Sequence, residues 1–218
     1  MRKTTASFMV GALLAASAGG AHALQITVSA GGVLETAVAG ATTLDFSGEN
    51  IASCGGYSSC TPTDFNVVSG SLSGQYAPPA GFPAGNEYLT VPDAANSGSA
   101  TFNFGTTANY FGLFWGSIDD YNSIEFLLGG SVVETVFGLA LQAVDPDILV
   151  QGDQVSVNDN RYVNFFFGAQ LIDGVRLIST QNAFESDNHA FATVPEPGTL
   201  ALLGLGLAGL GVARRRRQ

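Results

Sequence analysis

The sequence predicts an all-β fold, a β-sandwich of the jelly-roll kind, on three observations. Between residues 24 and 193, short runs of period-two alternation are separated by Gly, Pro, Asn, Asp and Ser, and no helical periodicity lasts beyond about two turns. Gly129-Gly130 stands between two such runs, which is the signal of a type I′ hairpin because both central residues of that turn need positive φ. No segment repeats at a period of about twenty to fifty residues, so about eight to ten strands with loops of mixed length are left to form one sandwich.

Taken in order, Gln25 to Ser29, Thr42 to Phe46, Asn66 to Ser69, Glu87 to Val91 and Ala100 to Phe104 are the early strands. Gly70 to Gly85 (GSLSGQYAPPAGFPAG) has too much Gly and Pro for an inner strand and is expected to be a long surface loop, part of a binding rim. From Asn109 to Phe137 the alternation is strongest: Phe111, Leu113 and Trp115 against Tyr110, Gly112 and Phe114, then Ile124, Phe126 and Leu128 after a turn at Ser117 to Asn122. This stretch reads as one meander forming the core sheet. Asp145 to Asn160 is an acidic, turn-rich loop. Arg161 to Phe167 (RYVNFFF) reads as a strand buried on both faces, and LIDGVRLIST and NAFESDNHAFA supply two more strands.

Two terminal segments flank this domain. Arg2 and Lys3, the apolar stretch Phe8 to Ala16 and the Ala21-His22-Ala23 site have the three zones of a secretory signal peptide, predicting a helix over residues 1–23 that is cleaved before Leu24. At the other end, Val194 to Gln218 joins a Pro-Glu-Pro turn to an uncharged run, Thr199 to Ala213, and a block of arginines. Pro195 and Pro197 prevent a helix or strand from running on from the domain. As a helix the uncharged run is about 22 Å long, short of the roughly 30 Å hydrocarbon core. Arg214, Arg215, Arg216 and Arg217 would keep their end on the cytoplasmic side, with the domain outside. The same residues also fit an ordinary single-pass anchor.

Motif, short hydrophobic helix and Arg cluster, in that order, resemble the PEP-CTERM sorting tail of Gram-negative bacteria. The resemblance implies that Val194, Pro195, Glu196 and Pro197 are the recognition motif of a membrane protease, exosortase, which removes the tail, and that the producing cells secrete exopolysaccharide. It also implies a passage through the inner membrane to the cell surface or the medium. Within the domain, GQYAPP, EYLTVP, NYFGLFWGSIDDYNSIEF, RYVNFFF and AFESDNHAF resemble, in that order, a group of small exosortase-dependent surface proteins, from which no catalytic activity carries over. Ser186 and His189 depart from that pattern, standing where such sheets carry aliphatic residues.

Without its terminal signals the chain is 170 residues, 24–193, enough for one domain with a substantial core. That domain contains no lysine, two arginines (Arg161 and Arg176) and seventeen acids. Its charge of about −15 repels nucleic acid and anionic lipid and favours cations or neutral sugars. Cys54 and Cys60, in CGGYSSC, are expected to form a disulfide in an exported protein. His189 is the single histidine left after signal cleavage, which argues against His-rich metal sites, and no G-x-S-x-G elbow accompanies Ser186, Asp187 and His189. A regular strand would put Asp187 and His189 on one face, the histidine partly exposed.

Three functional readings follow. The first is a non-enzymatic, exported surface or matrix protein linked to exopolysaccharide or biofilm. The second is a carbohydrate-binding module, with or without structural calcium. For calcium, Asp45 or Glu49 would join Glu185, Asp187 and Asn188 across the first and last parts of the domain, because a hard cation takes six to eight oxygen ligands from flexible segments. For sugar, Tyr110, Trp115, Tyr121 and Tyr162 are the aromatic candidates, although alternation sets Trp115 with Phe111 and Leu113 on the core side. The third is a glycoside hydrolase, for which Asp119 with Asp120, or Asp145 with Asp147, would be the carboxylate pair.

Overall fold

The computed structural model describes residues 24–93 and 95–195; the expected signal peptide, Glu196, Pro197, the apolar run and Arg214 to Arg217 lie outside the described residues. Twelve strands follow in chain order: β1 Gln25–Val28, β2 Thr42–Leu44, β3 Ser59–Thr63, β4 Asn66–Ser69, β5 Glu87–Val91, β6 Gly98–Ala108, β7 Tyr110–Gly116, β8 Asn122–Leu128, β9 Ser131–Phe137, β10 Arg161–Phe166, β11 Ile172–Ser179 and β12 Phe184–Ala192. Short 3-10 helices occupy Ile51–Gly56 and Gly138–Ala143.

The last eight strands form one long antiparallel ribbon folded over on itself. Its rungs are β5 with β12, β6 with β11, β7 with β10, and β8 with β9. Rolling that ribbon makes two sheets, one ordered β1-β10-β7-β12-β5-β4 with β2 also on β12, the other β3-β6-β11-β8-β9. Successive strands of the ribbon therefore cross from sheet to sheet except at the β8–β9 hairpin, which is the connectivity of a jelly roll. Gly129 and Gly130 make that hairpin, with φ of 57° and 78°. The expected meander is corrected here. Strand β7 pairs with β10 and β12, whereas β8 pairs with β11 and β9, so Ser117 to Tyr121 is a crossing between sheets.

The core lies between the sheets and is largely aromatic. Phe111, Trp115, Phe126, Phe165 and Phe184 are fully buried, with Phe184 stacked on Trp115 at 4.5 Å and Phe126 tilted on Phe165 at 5.0 Å. Each such ring contributes about 1.5–3 kcal/mol by leaving water. Strand β7 is buried on both faces because chain segments lie across the outside of its sheet. The Thr36 hydroxyl meets the Tyr110 hydroxyl at 2.6 Å, the Phe82 ring meets Phe114 edge-on at 5.0 Å, and a Cβ at Gly116 would come within 2.9 Å of Pro79. The segment 70–86 is thus a strap over that face rather than a free rim, with Ala77 and Pro79 buried under it. Its prolines and glycines suit it to lie across a sheet without joining the ladder.

Strand β12 is kinked by a bulge between Asp187 and Ala190, with Asn188 at φ 47°. Before the bulge β12 pairs with β5, and after it with β2. The extra residue turns His189 into the core, on the side of Ser186 and away from Asp187. Histidine and aspartate do not share a face, and His189 is fully buried rather than partly exposed. Its Nδ1 lies 2.6 Å from the Tyr57 hydroxyl and its Nε2 2.9 Å from Ser186 Oγ. The two polar residues that depart from the aliphatic pattern therefore satisfy each other.

Cys54 and Cys60 form a disulfide that closes a small ring before β3. Where the last strand ends, Asn109 holds the departing chain: its side-chain N–H donates to the Val194 carbonyl at 2.9 Å, and its side-chain oxygen accepts the Val194 N–H at 2.6 Å.

Candidate functional site

Rolling the ribbon brings four connections to one end of the sandwich: β5–β6, β7–β8, β9–β10 and β11–β12. Asn160, just before β10, knits this end together. Its side-chain oxygen accepts the Ala80 N–H at 2.9 Å and the Ser117 N–H at 3.1 Å, while its amide donates to the carbonyls of Asp153 and Ser156. Asp159 accepts the N–H groups of Leu149 and Val150. The acidic loop is accordingly spent on holding its own backbone, the use that Asx turns make of such residues.

A polar cleft of about 260 Å³ opens between this loop and the strap. Tyr76, Gln75, Gln154, Asn182 and Glu185 line it, with Ser71 to Gly74 as one wall. Asn182, on the β11–β12 connection, donates to the Gly74 carbonyl at 3.1 Å and so fixes that wall. Glu185, the second residue of β12, faces outward from the core beneath the strap and accepts the Ala77 N–H at 3.0 Å. It is 3% exposed, and burial, with the Asp119 carboxylate adding a smaller push, raises its pKa to about 8. Asp119 accepts from the Tyr121 N–H and the Asn122 amide, yet burial still raises it to about 7. Across the ladder from Glu185, the Thr90 hydroxyl is buried without a partner. A wider, more apolar hollow of about 500 Å³ runs along residues 78–86, sharing Gln154 with the cleft.

Of the described residues singled out from sequence, Glu185 lies in the cleft and the others are placed elsewhere. Tyr110, Trp115 and Tyr162 are fully buried, so none offers a sugar platform; Tyr110 bonds Thr36 and Asn164, and Tyr162 donates to the Asn188 carbonyl. Tyr121 is half-buried, donating to the Asn182 carbonyl behind the cleft. The calcium set is likewise divided. Asp187 accepts from the Asn86 amide and the Asn188 N–H, with burial raising its pKa to about 7 and Asp45 adding to the rise. Asn188 donates to the Leu34 carbonyl, and Glu49 lies beside Gly56. Among the described residues no three His, Cys, Asp or Glu side chains converge as a metal site. Each candidate in β12 is engaged by a different partner instead, Glu185 by the Ala77 N–H, Asp187 by the Asn86 amide and Asn188 by the Leu34 carbonyl. As for the hydrolase pairs, Asp119 is buried while Asp120 is exposed, and Asp145 is held by Arg161 at 2.9 Å while Asp147 is exposed. Ser186 and His189 have the spacing of a nucleophile and base, but both are sealed in the core. Tyr76 falls in the loop that the sequence marks as a binding rim, but it, Gln154 and Asn182 carry no individual signal because they sit in loops, where no periodicity marks a side chain as facing a cleft.

The fold and this end of it define an all-β jelly-roll domain with a polar cleft, leading into a terminal segment that Asn109 grips. Residues 193–217 match the PEP-CTERM protein-sorting motif, so the chain carries the sorting signal of exosortase-dependent proteins and is exported by that membrane-associated route. Curated proteins yield no match to the chain. Among solved structures, it is similar to CsCBM6-3 from Clostridium stercorarium in complex with cellobiose, at 16% identity and TM-score 0.35 over 63% of this chain and 88% of that one. It is also similar to CpGH89CBM32-6 produced by Clostridium perfringens, at 12% identity and TM-score 0.31 over 67% of this chain and 100% of that one. No helix among the described residues is long and apolar enough to cross a membrane.

Proposed function

We propose that this is a non-enzymatic cell-surface or matrix protein, freed from the inner membrane by exosortase, whose jelly-roll domain holds secreted polysaccharide. The observation that carries the reading is the sorting motif attached directly to an acidic domain with a polar cleft. The charge fits an uncharged partner. Seventeen acids against two arginines repel anionic polymers, and both arginines are engaged, Arg161 with Asp145 and Arg176 with Glu125. The burial of Ser186 and His189 supports the non-enzymatic reading, since that contact is closed to substrate.

Fractionation of producing cells with and without exosortase tests the sorting half. The processed protein is expected at the surface or in the medium of the first and held uncleaved in the inner membrane of the second; the same distribution in both would overturn it. For the domain, retention on the cells' own exopolysaccharide without release of reducing ends is expected. Measured release of reducing ends would replace this reading with the hydrolase one.

A further inference from the structure

We infer that the cleft between the strap and the β9–β10 loop is the sugar subsite, taking one uncharged sugar residue against Tyr76, with the Asn182 side-chain oxygen, the Gln154 amide and the Glu185 carboxyl as its hydrogen-bonding groups. This rests on the polysaccharide reading above and adds its site and its ligand class. The cleft, at about 260 Å³, is below the roughly 300–1,000 Å³ of sites for drug-sized ligands, which suits a single ring. Its polar lining combines amide donors and acceptors with a phenol, the mixed set that vicinal hydroxyls require. Tyr76 supplies the one aromatic face in the lining.

The ligand's charge follows from what surrounds Glu185. Asp119 and Tyr121 on the β7–β8 connection, Tyr88 on β5 and Tyr76 on the strap are the titratable groups about it, none of them cationic. A uronate, sulfate or phosphate would enter without a countercharge and meet buried acids. A neutral sugar meets a carboxyl that burial keeps protonated near pH 7, one oxygen accepting from Ala77 and the acid proton available to a ligand oxygen. Ionisation at higher pH removes that donor and adds a buried charge, so affinity falls on the alkaline side.

The test is affinity electrophoresis of the exported, processed protein in gels containing a neutral glucan, mannan or galactan, or the uronans alginate and polygalacturonate, at pH 6 and pH 9. Retardation is expected in at least one neutral gel and in neither uronan, with affinity about tenfold weaker at pH 9, as expected one unit above a pKa of about 8. Glu185→Gln keeps a neutral donor and an acceptor for Ala77, so it should bind at pH 6 and lose the pH dependence. Tyr76→Ala and Asn182→Ala should abolish retardation while circular dichroism shows the sheet intact. Retardation by uronans, or wild-type binding unchanged in Tyr76→Ala and Asn182→Ala, overturns this site and leaves the polysaccharide reading standing. Failure to bind these gels and the native exopolysaccharide overturns both.

Discussion

His189 shows at the scale of one residue what the bulge accomplishes. Its ring is sealed between Tyr57 and Ser186, and burial pushes its pKa down to about 3. Replacing it with Leu leaves a hydroxyl at each end unpaired, so His189→Leu should cost about 2–4 kcal/mol, read by denaturant unfolding. Tyr57→Phe and Ser186→Ala in the same chain should restore part of the loss, whereas an additive further loss would show that the hydrogen bonds are not the cause. The buried acids act in the opposite sense to the imidazole. His189, ordinarily near 6.5, withdraws stability as pH falls toward 3, because only the unfolded chain is protonated there. Asp119, Asp187 and Glu185, raised from 3.8, 3.8 and 4.5 to about 7, 7 and 8, are protonated in the folded chain while ionised in the unfolded one. Their contribution is complete below about pH 4 and is lost as pH rises to about 8. Above about pH 4.5 three acids outweigh one histidine, so the thermal midpoint should peak between about pH 4 and 5 and decline to pH 8. A midpoint that climbs from pH 5 to pH 8 would contradict this. None of these environments was legible in the sequence, because burial and the bulge decide them and neither leaves a mark in residue spacing.

Elements divide by how much of their conformation is local. The β8–β9 hairpin was readable, since Gly129-Gly130 dictates its turn, and so was β10, whose run RYVNFFF could suit little but a strand covered on both sides. Strand β3 was missed: Cys60 to Thr63 carries no alternation and joins β6 at the sheet edge beside the disulfide ring. That bond encloses a short loop, so Cys54→Ser with Cys60→Ser should lower stability by about 2.4 kcal/mol at most, with hydrogen exchange quickening in β3 and little in β7. A global loss of the near-ultraviolet aromatic signal would mean the ring does more than fasten an edge. The strap escaped a sequence reading for the opposite reason. Its Gly-Pro composition announces a loop, and only the sheet beneath it shows that the loop is packed. Asn160 makes four hydrogen bonds, one to the strap at Ala80, one to the β7–β8 crossing at Ser117 and two within the acidic loop, and Asn160→Ala should therefore cost about 3 kcal/mol or more. Asn160→Asp, which keeps the acceptor for Ala80 and Ser117, should cost less; equal costs would assign the effect to the lost donors.

For the whole molecule, alternation and turn spacing carried the fold class, and the tail's order of motif, apolar run and arginines carried the sorting route. The strand pairing could not be read that way: β5 finds β12 across most of the domain, a choice made by the rolled ribbon as a unit. The cleft shares that origin, since its lining comes from three separate connections. Asn109 adds a consequence for export. With the Val194 backbone gripped on both its N–H and its carbonyl, and the Ala192 carbonyl accepting the Asn109 N–H at 3.0 Å, the folded domain has no leash between its last strand and the sorting motif, which begins at residue 193. A domain joined this directly to a motif that is sorted at a membrane would be held close to that surface, and its acidity would then act as a spacer that pushes it off anionic headgroups. Ten Gly-Ser residues inserted after Thr193 would supply the missing slack. Processing should then lose its dependence on domain folding: a folding-defective domain should slow cleavage of the directly joined tail and leave cleavage of the lengthened one unchanged.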